Sequence, residues 1–535
     1  MNKKLIPFTI FMFALVLVAC APMAASTSVV VQQATRPPQV VIPNLPTAVP
    51  PAFPQPLPTQ APYATPLPVM PYPGSIPTPV DNYFKNYGVN PFIDTRVDHL
   101  STFALDVDTA SYNIARSYVM DGNLPPAEAV RVEEFVNSFE QDYPIPPDVA
   151  FGIYADGAPS AFNSDGTLIL RFGVQGYDIP AELRKPASLT FVIDISGSMG
   201  QDNRLGLVKQ SLQLLVERLR PTDTVSIVVY SDNTRVVLFP TSGEDRTTIL
   251  NSIYSLQTEG ATNLEAGLRL GYQLASQAYR ALGINRVILC SDGVANVGAT
   301  STDAILESIR GYADAGISLT TVGFGMGNFN DVLMEQLADK GDGNYSYVDT
   351  LEQARHMFVD NLTSTLQVIA LDAKVQVDFN PEAVAYYRLI GYENRAVADQ
   401  DFRNDAVDAG EIGAGHSATA LYAVLLRPGM QGRIATVQLR WQDPQTHSIQ
   451  EINGNFNTWD VTPTFASASP RYQLAVVVAQ YAEVLRRSPW AIETPIYQVL
   501  NLAVQLSGIL PGDPQVTEFV NLVSRASQIK ALTDQ

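Results

Sequence analysis

The chain has 535 residues, 53 acidic and 34 basic, and a formal net charge of −19 at pH 7. That length exceeds what one hydrophobic core serves, so several domains are expected. Residues 1–80 hold no Asp or Glu and only Lys3, Lys4 and Arg36 as strong bases. The remaining body therefore sets 53 acidic against 31 basic residues, a net charge near −22, and so acidic a surface repels nucleic acid and anionic membrane faces.

Lys3 and Lys4 precede an apolar run from Leu5 to Ala19, too short to span a bilayer comfortably, that ends in Leu17-Val18-Ala19-Cys20. The pattern resembles the bacterial lipoprotein signal; an ordinary secretory signal is the alternative. The resemblance implies removal of residues 1–19 and lipid on Cys20. The protein is then expected in the bacterial cell envelope, extracytoplasmic and held to a membrane by its N-terminal lipid. Residues 20–80, dense in proline from Arg36 to Pro79, read as a polyproline-rich tether with no core. Cys290 is the one other cysteine; it has no disulfide partner and is expected as a small buried apolar side chain.

Residues 81–146 are predicted to form a helical flanking region. A short strand after Asp98 leads to a helix through Val119, capped by Asp108-Thr-Ala-Ser111, and Pro125 and Pro126 open a second helix over 127–139. Residues 149–179 read as strand. Over 187–369, strands at 189–193, 225–230, 235–239, 286–290, 318–323 and 345–348 alternate with helical runs. In the first of these, Leu205, Val208, Leu212, Leu215 and Leu219 recur at steps of three and four. This order predicts an α/β domain on a doubly wound, mostly parallel sheet. The other helices are placed at 247–256, 264–278, 304–315, 331–338 and 351–366. Past residue 370 the alternation in Lys374-Val-Gln-Val-Asp-Phe379 and Ile434-Ala-Thr-Val-Gln-Leu-Arg-Trp441 is that of strands. Helices follow at 471–487, 494–506 and 516–532. Residues 147–186 and 370–462 are expected to pair into one β-sandwich-like domain interrupted by the α/β unit, with 463–535 a C-terminal helical region.

The segment Phe191-Val-Ile-Asp-Ile-Ser-Gly-Ser-Met-Gly200 ends an apolar strand in one carboxylate and two hydroxyls. Thr262, in a loop before a helix, and Asp292, directly after the strand at 286–290, are placed to return to the same point. Ligands of open parallel sheets bind at such strand ends, near a topological switch point. Hard oxygen donors of this kind suit a magnesium-like cation. Asp194, Ser196, Ser198, Thr262 and Asp292 together resemble the metal-ion-dependent adhesion site of von Willebrand factor type A (VWA) domains. The resemblance implies a Rossmann-like fold in which Asp194, Ser196, Ser198 and Thr262 line the cation and Asp292 orients a coordinated water or binds directly. The implied cation is Mg²⁺, with Mn²⁺ or Ca²⁺ as alternatives. A partner protein would complete its shell with an Asp or Glu carboxylate, in adhesion or assembly and without covalent chemistry. The flanking stretches Phe103-Ala-Leu-Asp-Val-Asp-Thr-Ala-Ser-Tyr112, Gly152-Ile-Tyr-Ala-Asp156 and Gly391-Tyr-Glu-Asn-Arg395 resemble bacterial lipoproteins in which this domain sits between family-specific regions. Two other readings stay open: an envelope scaffold with a structural metal, and a metal-dependent hydrolase with Glu265 or Asp202 as base.

Other motifs carry less. Asp106-Val-Asp108-Thr-Ala110 departs from the phosphotransferase pattern by one position and reads as a helix start. Gly323-Phe-Gly-Met-Gly327 does not match the dinucleotide spacing. The acidic run Asp399, Asp401, Asp405, Asp408, Glu411 fails the EF-hand spacing and reads as a solvated loop, calcium binding being the alternative. His99, His356, His416 and His447 show no zinc-ligand spacing.

Overall fold

The computed structural model describes residues 82–293, 302–325 and 329–533. The signal segment, Cys20 and the proline-rich stretch lie outside the described residues. So do positions 326 and 327 of the Gly323–Gly327 motif.

The strand Ala187–Asp194 is buried at every position, its polar Ser188 and Thr190 included, as a strand covered on both faces must be. It is a central strand of a six-stranded sheet running Tyr345–Val348, Ser318–Phe324, Ile284–Ser291, Ala187–Asp194, Thr224–Tyr230, Arg235–Ser242. All neighbours are parallel except the last pair, an antiparallel hairpin. Helices Arg204–Arg218, Arg246–Tyr254 and Leu351–Arg355 cover one face. Leu264–Gln277 and Asp331–Asp339 cover the other, together with the N-terminal helix Ala110–Met120. The chain is thus α/β with a doubly wound, mostly parallel sheet. Cys290 lies in the first of these cores, and burial raises its thiol pKa far above the usual range.

Two antiparallel sheets flank this unit. One runs Ile93–Asp94, Val384–Ile390, Ser417–Leu426, Leu168–Gly176, Phe151–Pro159; in the other, Val368–Phe379 pairs with Gly410–Gly413, Arg433–Gln442 and Leu100–Ala104. Phe103, Phe172, Val377, Phe379, Tyr422 and Trp441 fill the core they share, the packing expected of a sandwich. The chain leaves the first sheet at Gly176, builds the α/β unit, and re-enters the second at Val368. Helices Pro470–Leu485, Ile496–Ile509 and Pro514–Thr533 gather with Val132–Asn137 over Ile169, Leu421 and Ala423 of the first sheet. Among the described residues, no helix is long and apolar enough to cross a membrane.

Three local expectations give way to tertiary contacts. The helix predicted over 127–139 is interrupted: Val130 and Arg131 are extended between a 3₁₀ turn, Ala127–Ala129, and the helix Val132–Asn137. The cause is Arg131, buried against Glu134 (2.7 Å), Glu335 (3.0 Å) and Asp331. The helix at 110 is not capped by its own Thr109. Ser111 N instead donates to Glu134 Oε2 (2.7 Å), and Asp108 accepts from Tyr345 N (3.0 Å). The run at 351–366 breaks into Leu351–Arg355, a wider π-type turn over His356–Asp360, and Leu362–Leu366. Arg395 adds a second buried knot, bound to Asp106 (3.0 Å), Asp108 (3.3 Å) and Asp339 (2.8 Å). Asp106 and Asp108 are therefore structural partners of an arginine. Removing one member of such a buried network is strongly destabilising.

Candidate metal centre

Asp194 closes the strand Ala187–Asp194; the chain continues to Thr224–Tyr230 on one side of it and later crosses over to place Ile284–Ser291 on the other. This is the switch point where open sheets place their ligands. The turn after it is pinned by backbone bonds: Ile195 N to Tyr230 O (3.0 Å), Glu259 N to Ile195 O (2.6 Å) and Gly197 N to Gly260 O (3.1 Å). The last two draw the Thr262 loop against the Ser196–Ser198 turn. Gly260 has φ +64, and a side chain there would strike Asp232 Oδ2 at 2.4 Å, so glycine is required. Asn263 then caps the next helix through Ala266 N (3.1 Å), holding Thr262 at the helix entrance, where it is buried.

Asp194 is 0% exposed. Its Oδ1 accepts from Ser196 N (2.8 Å) and its Oδ2 from Ser291 Oγ (3.1 Å). No basic side chain pairs with it among the described residues. Burial, and after it the charge of Asp292, push its pKa up to about 6, although the bonds from Ser196 and Ser291 work the other way. Ser196 Oγ and Ser198 Oγ stand 3.0 Å apart. Adjacent oxygens in an octahedral Mg²⁺ shell of radius about 2.0–2.1 Å are separated by about 3 Å, so the two hydroxyls have the spacing of neighbouring ligands. Ser196 lies at the floor and Ser198 half-buried, below an exposed rim of Gly197, Gly200, Gln201 and residues 257–261. The donor set thus fits a hard divalent ion: one under-compensated carboxylate, paired hydroxyls and an opening to solvent.

Asp292 is also fully buried, and its Oδ2 takes Arg204 Nη1 at 2.9 Å. Sequence reasoning placed Asp292 but missed Arg204. A signal existed, since an arginine at the first position of a helix opposes the helix dipole and needs a local reason. Gly325, at φ +79, lets the end of the strand Ser318–Phe324 approach the guanidinium; a Cβ there would meet Arg204 Nε at 2.3 Å. Ser291 and Tyr230 were missed as well. Tyr230 is fully buried on the neighbouring strand, and burial, then the Asp194 charge, hold its phenol protonated. Of the two candidate bases, Asp202 is 87% exposed and lies 3.7 Å from Arg204 Nη2, and Glu265 sits in the first turn of the helix after Thr262.

Comparison with known proteins adds three family matches. Residues 188–361 match the von Willebrand factor type A domain, 364–529 match the family model described as "Uncharacterized protein YfbK, C-terminal", and 78–170 match one described as von Willebrand factor. YfbK of Escherichia coli (strain K12) is 35% identical over 475 residues, covering 83% of this chain and 81% of that protein. The Synechocystis protein sll0103 is 27% identical over 325 residues, 59% of this chain and 74% of that one. Human inter-alpha-trypsin inhibitor heavy chain H3 is 28% identical over 166 residues, 30% of this chain and 18% of its own length. Among solved structures, a von Willebrand factor type A protein from Catenulispora acidiphila aligns at 15% identity and a TM-score of 0.41, over 69% of this chain and 89% of that one.

Proposed function

We propose, for a chain that belongs to the family of Escherichia coli YfbK and carries a von Willebrand factor type A domain at its centre, a role in metal-dependent protein docking. The observation that carries this reading is Asp194. It is a buried carboxylate with no basic partner among the described residues, set beside two hydroxyls at ligand spacing under an open rim. Asp194 would be the charged ligand, Ser196, Ser198 and Thr262 the neutral ones. Asp292, with one oxygen already on Arg204, would act through a water. When bound, the cation, Mg²⁺ in first place, offers an open position to an Asp or Glu carboxylate of a partner protein. So few charges around a divalent ion leave it a strong acceptor for one more anionic oxygen. The chain's own residues hold the ion and shape the rim, and the reading involves no catalysis.

The lipoprotein-type start supports placing this docking site outside the cytoplasm, tethered to a membrane of a bacterial envelope. The test is affinity capture from cross-linked envelope extracts with the full chain, its Asp194→Asn variant, and excess chelator. A partner retained by the wild type and released by both perturbations supports docking through the cation. Equal capture in all three arms removes it.

A further inference from the structure

The turn between helix Asp331–Asp339 and strand Tyr345–Val348 lies at the sheet edge opposite Asp194, where the parallel strands begin. Leu319 N donates to Gly341 O (2.7 Å) and Thr321 N to Asn344 O (3.1 Å), which fixes the turn. It carries Asp342 against the sandwich. One carboxylate oxygen each of Asp342, Asp408 and Glu411 lies within 4.8 Å of the other two. They line a cleft of about 800 Å³ with Lys185, Arg286 and Gln442.

Glu411 is 6% exposed. Among the described residues no hydrogen-bond donor reaches its carboxylate and no basic side chain pairs with it. Arg286 faces the same cleft and its charge acts on Glu411 and Asp342, but it forms an ion pair with neither among the described residues; its Nη1 donates to Thr320 Oγ1 and the Thr365 carbonyl, both at 2.7 Å. Lys340 Nζ pairs with Asp408 Oδ2 (2.7 Å) and, among the described residues, with no other carboxylate. The rest of the acidic run is engaged elsewhere: Asp399 accepts from Thr102, Asp401 from Asn404, and Asp405 pairs with Arg440. A buried carboxylate aimed at two others calls for a compensating charge.

We propose that Asp342, Asp408 and Glu411 form a second divalent-cation site, of calcium type, that clamps the α/β unit to the β-sandwich. Its donors are all hard oxygens, which excludes soft-metal chemistry. Calcium binds oxygen at about 2.3–2.6 Å, so ligands across its shell stand just under about 5 Å apart, and the observed spread fits within that diameter. Asp342 belongs to the inserted unit, while Glu411 lies in the strand Gly410–Gly413 of the second sheet and Asp408 just before it. The ion would therefore join segments far apart in sequence, which is why no linear calcium motif announces it.

The test uses the full chain carrying Asp194→Asn, so that the first site does not contribute, stripped with chelator and titrated with CaCl₂ by calorimetry. One saturable site and a calcium-dependent rise in Tm are expected. Adding Glu411→Gln should weaken binding at least about tenfold and abolish the rise. Asp342→Asn, which suits the left-handed backbone there (φ +47), should do the same if the glutamine variant does not fold. No saturable calcium binding in the Asp194→Asn background, or an unchanged Kd in the double variants, means a proton-sharing or lysine-paired cluster and overturns the proposal. Partner capture plays no part in this readout, so either site can fail alone.

Discussion

Replacing Asp194 by Asn should make the cation-free protein more stable. The carboxyl is fully buried and its pKa stands at about 6 in place of its ordinary 3.8, through burial and the Asp292 charge. A group with a raised folded pKa contributes stability that is complete below 3.8 and is lost as pH rises through about 6. Above that pH, ionising it inside the fold costs on the order of 3 kcal/mol, at about 1.4 kcal/mol per pH unit. Asparagine keeps the shape: its oxygen can still accept from Ser196 N, and its amide can donate to Ser291 Oγ. At pH 7.5 in excess chelator, scanning calorimetry should show the variant more stable by up to about 3 kcal/mol, with the gap closing as pH is lowered towards 4. Magnesium should reverse the ranking at about 1,000 times its Kd, where it adds about 4.1 kcal/mol to the wild type and nothing to the variant. A variant less stable than wild type in chelator at pH 7.5, or a gap insensitive to pH, would refute this account of Asp194.

Arg204→Gln should cost about 3–5 kcal/mol in chelator, because Asp292 is left buried without its guanidinium. Magnesium should recover part of that loss, so its Tm shift should be larger in the variant than in the wild type; equal shifts would separate Arg204 from the cation. His416 supplies a second pH signature. Burial, then the charges of Arg286 and His356, lowers its pKa to about 4. The unfolded chain takes up the proton first, so stability is lost as pH falls from about 6.5 through about 4, by up to about 3 kcal/mol. His416→Gln should flatten that limb of the stability–pH curve, and NMR titration of the wild-type imidazole gives the pKa directly.

Much of this was legible because burial on both faces writes itself into a strand. Residues 189–193 could be read as a central strand, with Asp194 as its exit. Thr262 and Asp292 were recognisable because each follows a local signal, a loop before a helix and the end of an apolar run. What escaped the sequence was decided by charges meeting across the fold. Arg131 pulls its own segment out of helical geometry to reach Glu335, some 200 positions later. Arg204 shows in the sequence only as a cation set against the start of its helix, and its purpose is plain once Asp292 is beside it. The acidic run 399–411 was expected to be solvated. In the fold, however, Glu411 is buried and pointed at Asp342, a partner that no spacing within the run could announce.

The nesting of the chain sets a schedule for its assembly. Leu100 pairs with Asp378 and Ala104 with Lys374, so that ladder cannot form until the whole intervening stretch has been made. Contacts so distant in sequence are slow to find and expose unpaired strand edges while they wait. The inserted module, whose strands lie closer together along the chain, can mature first and bring the two ends near each other. A substitution that delays this inner module should therefore appear as aggregation of the outer strands, far from the altered residue.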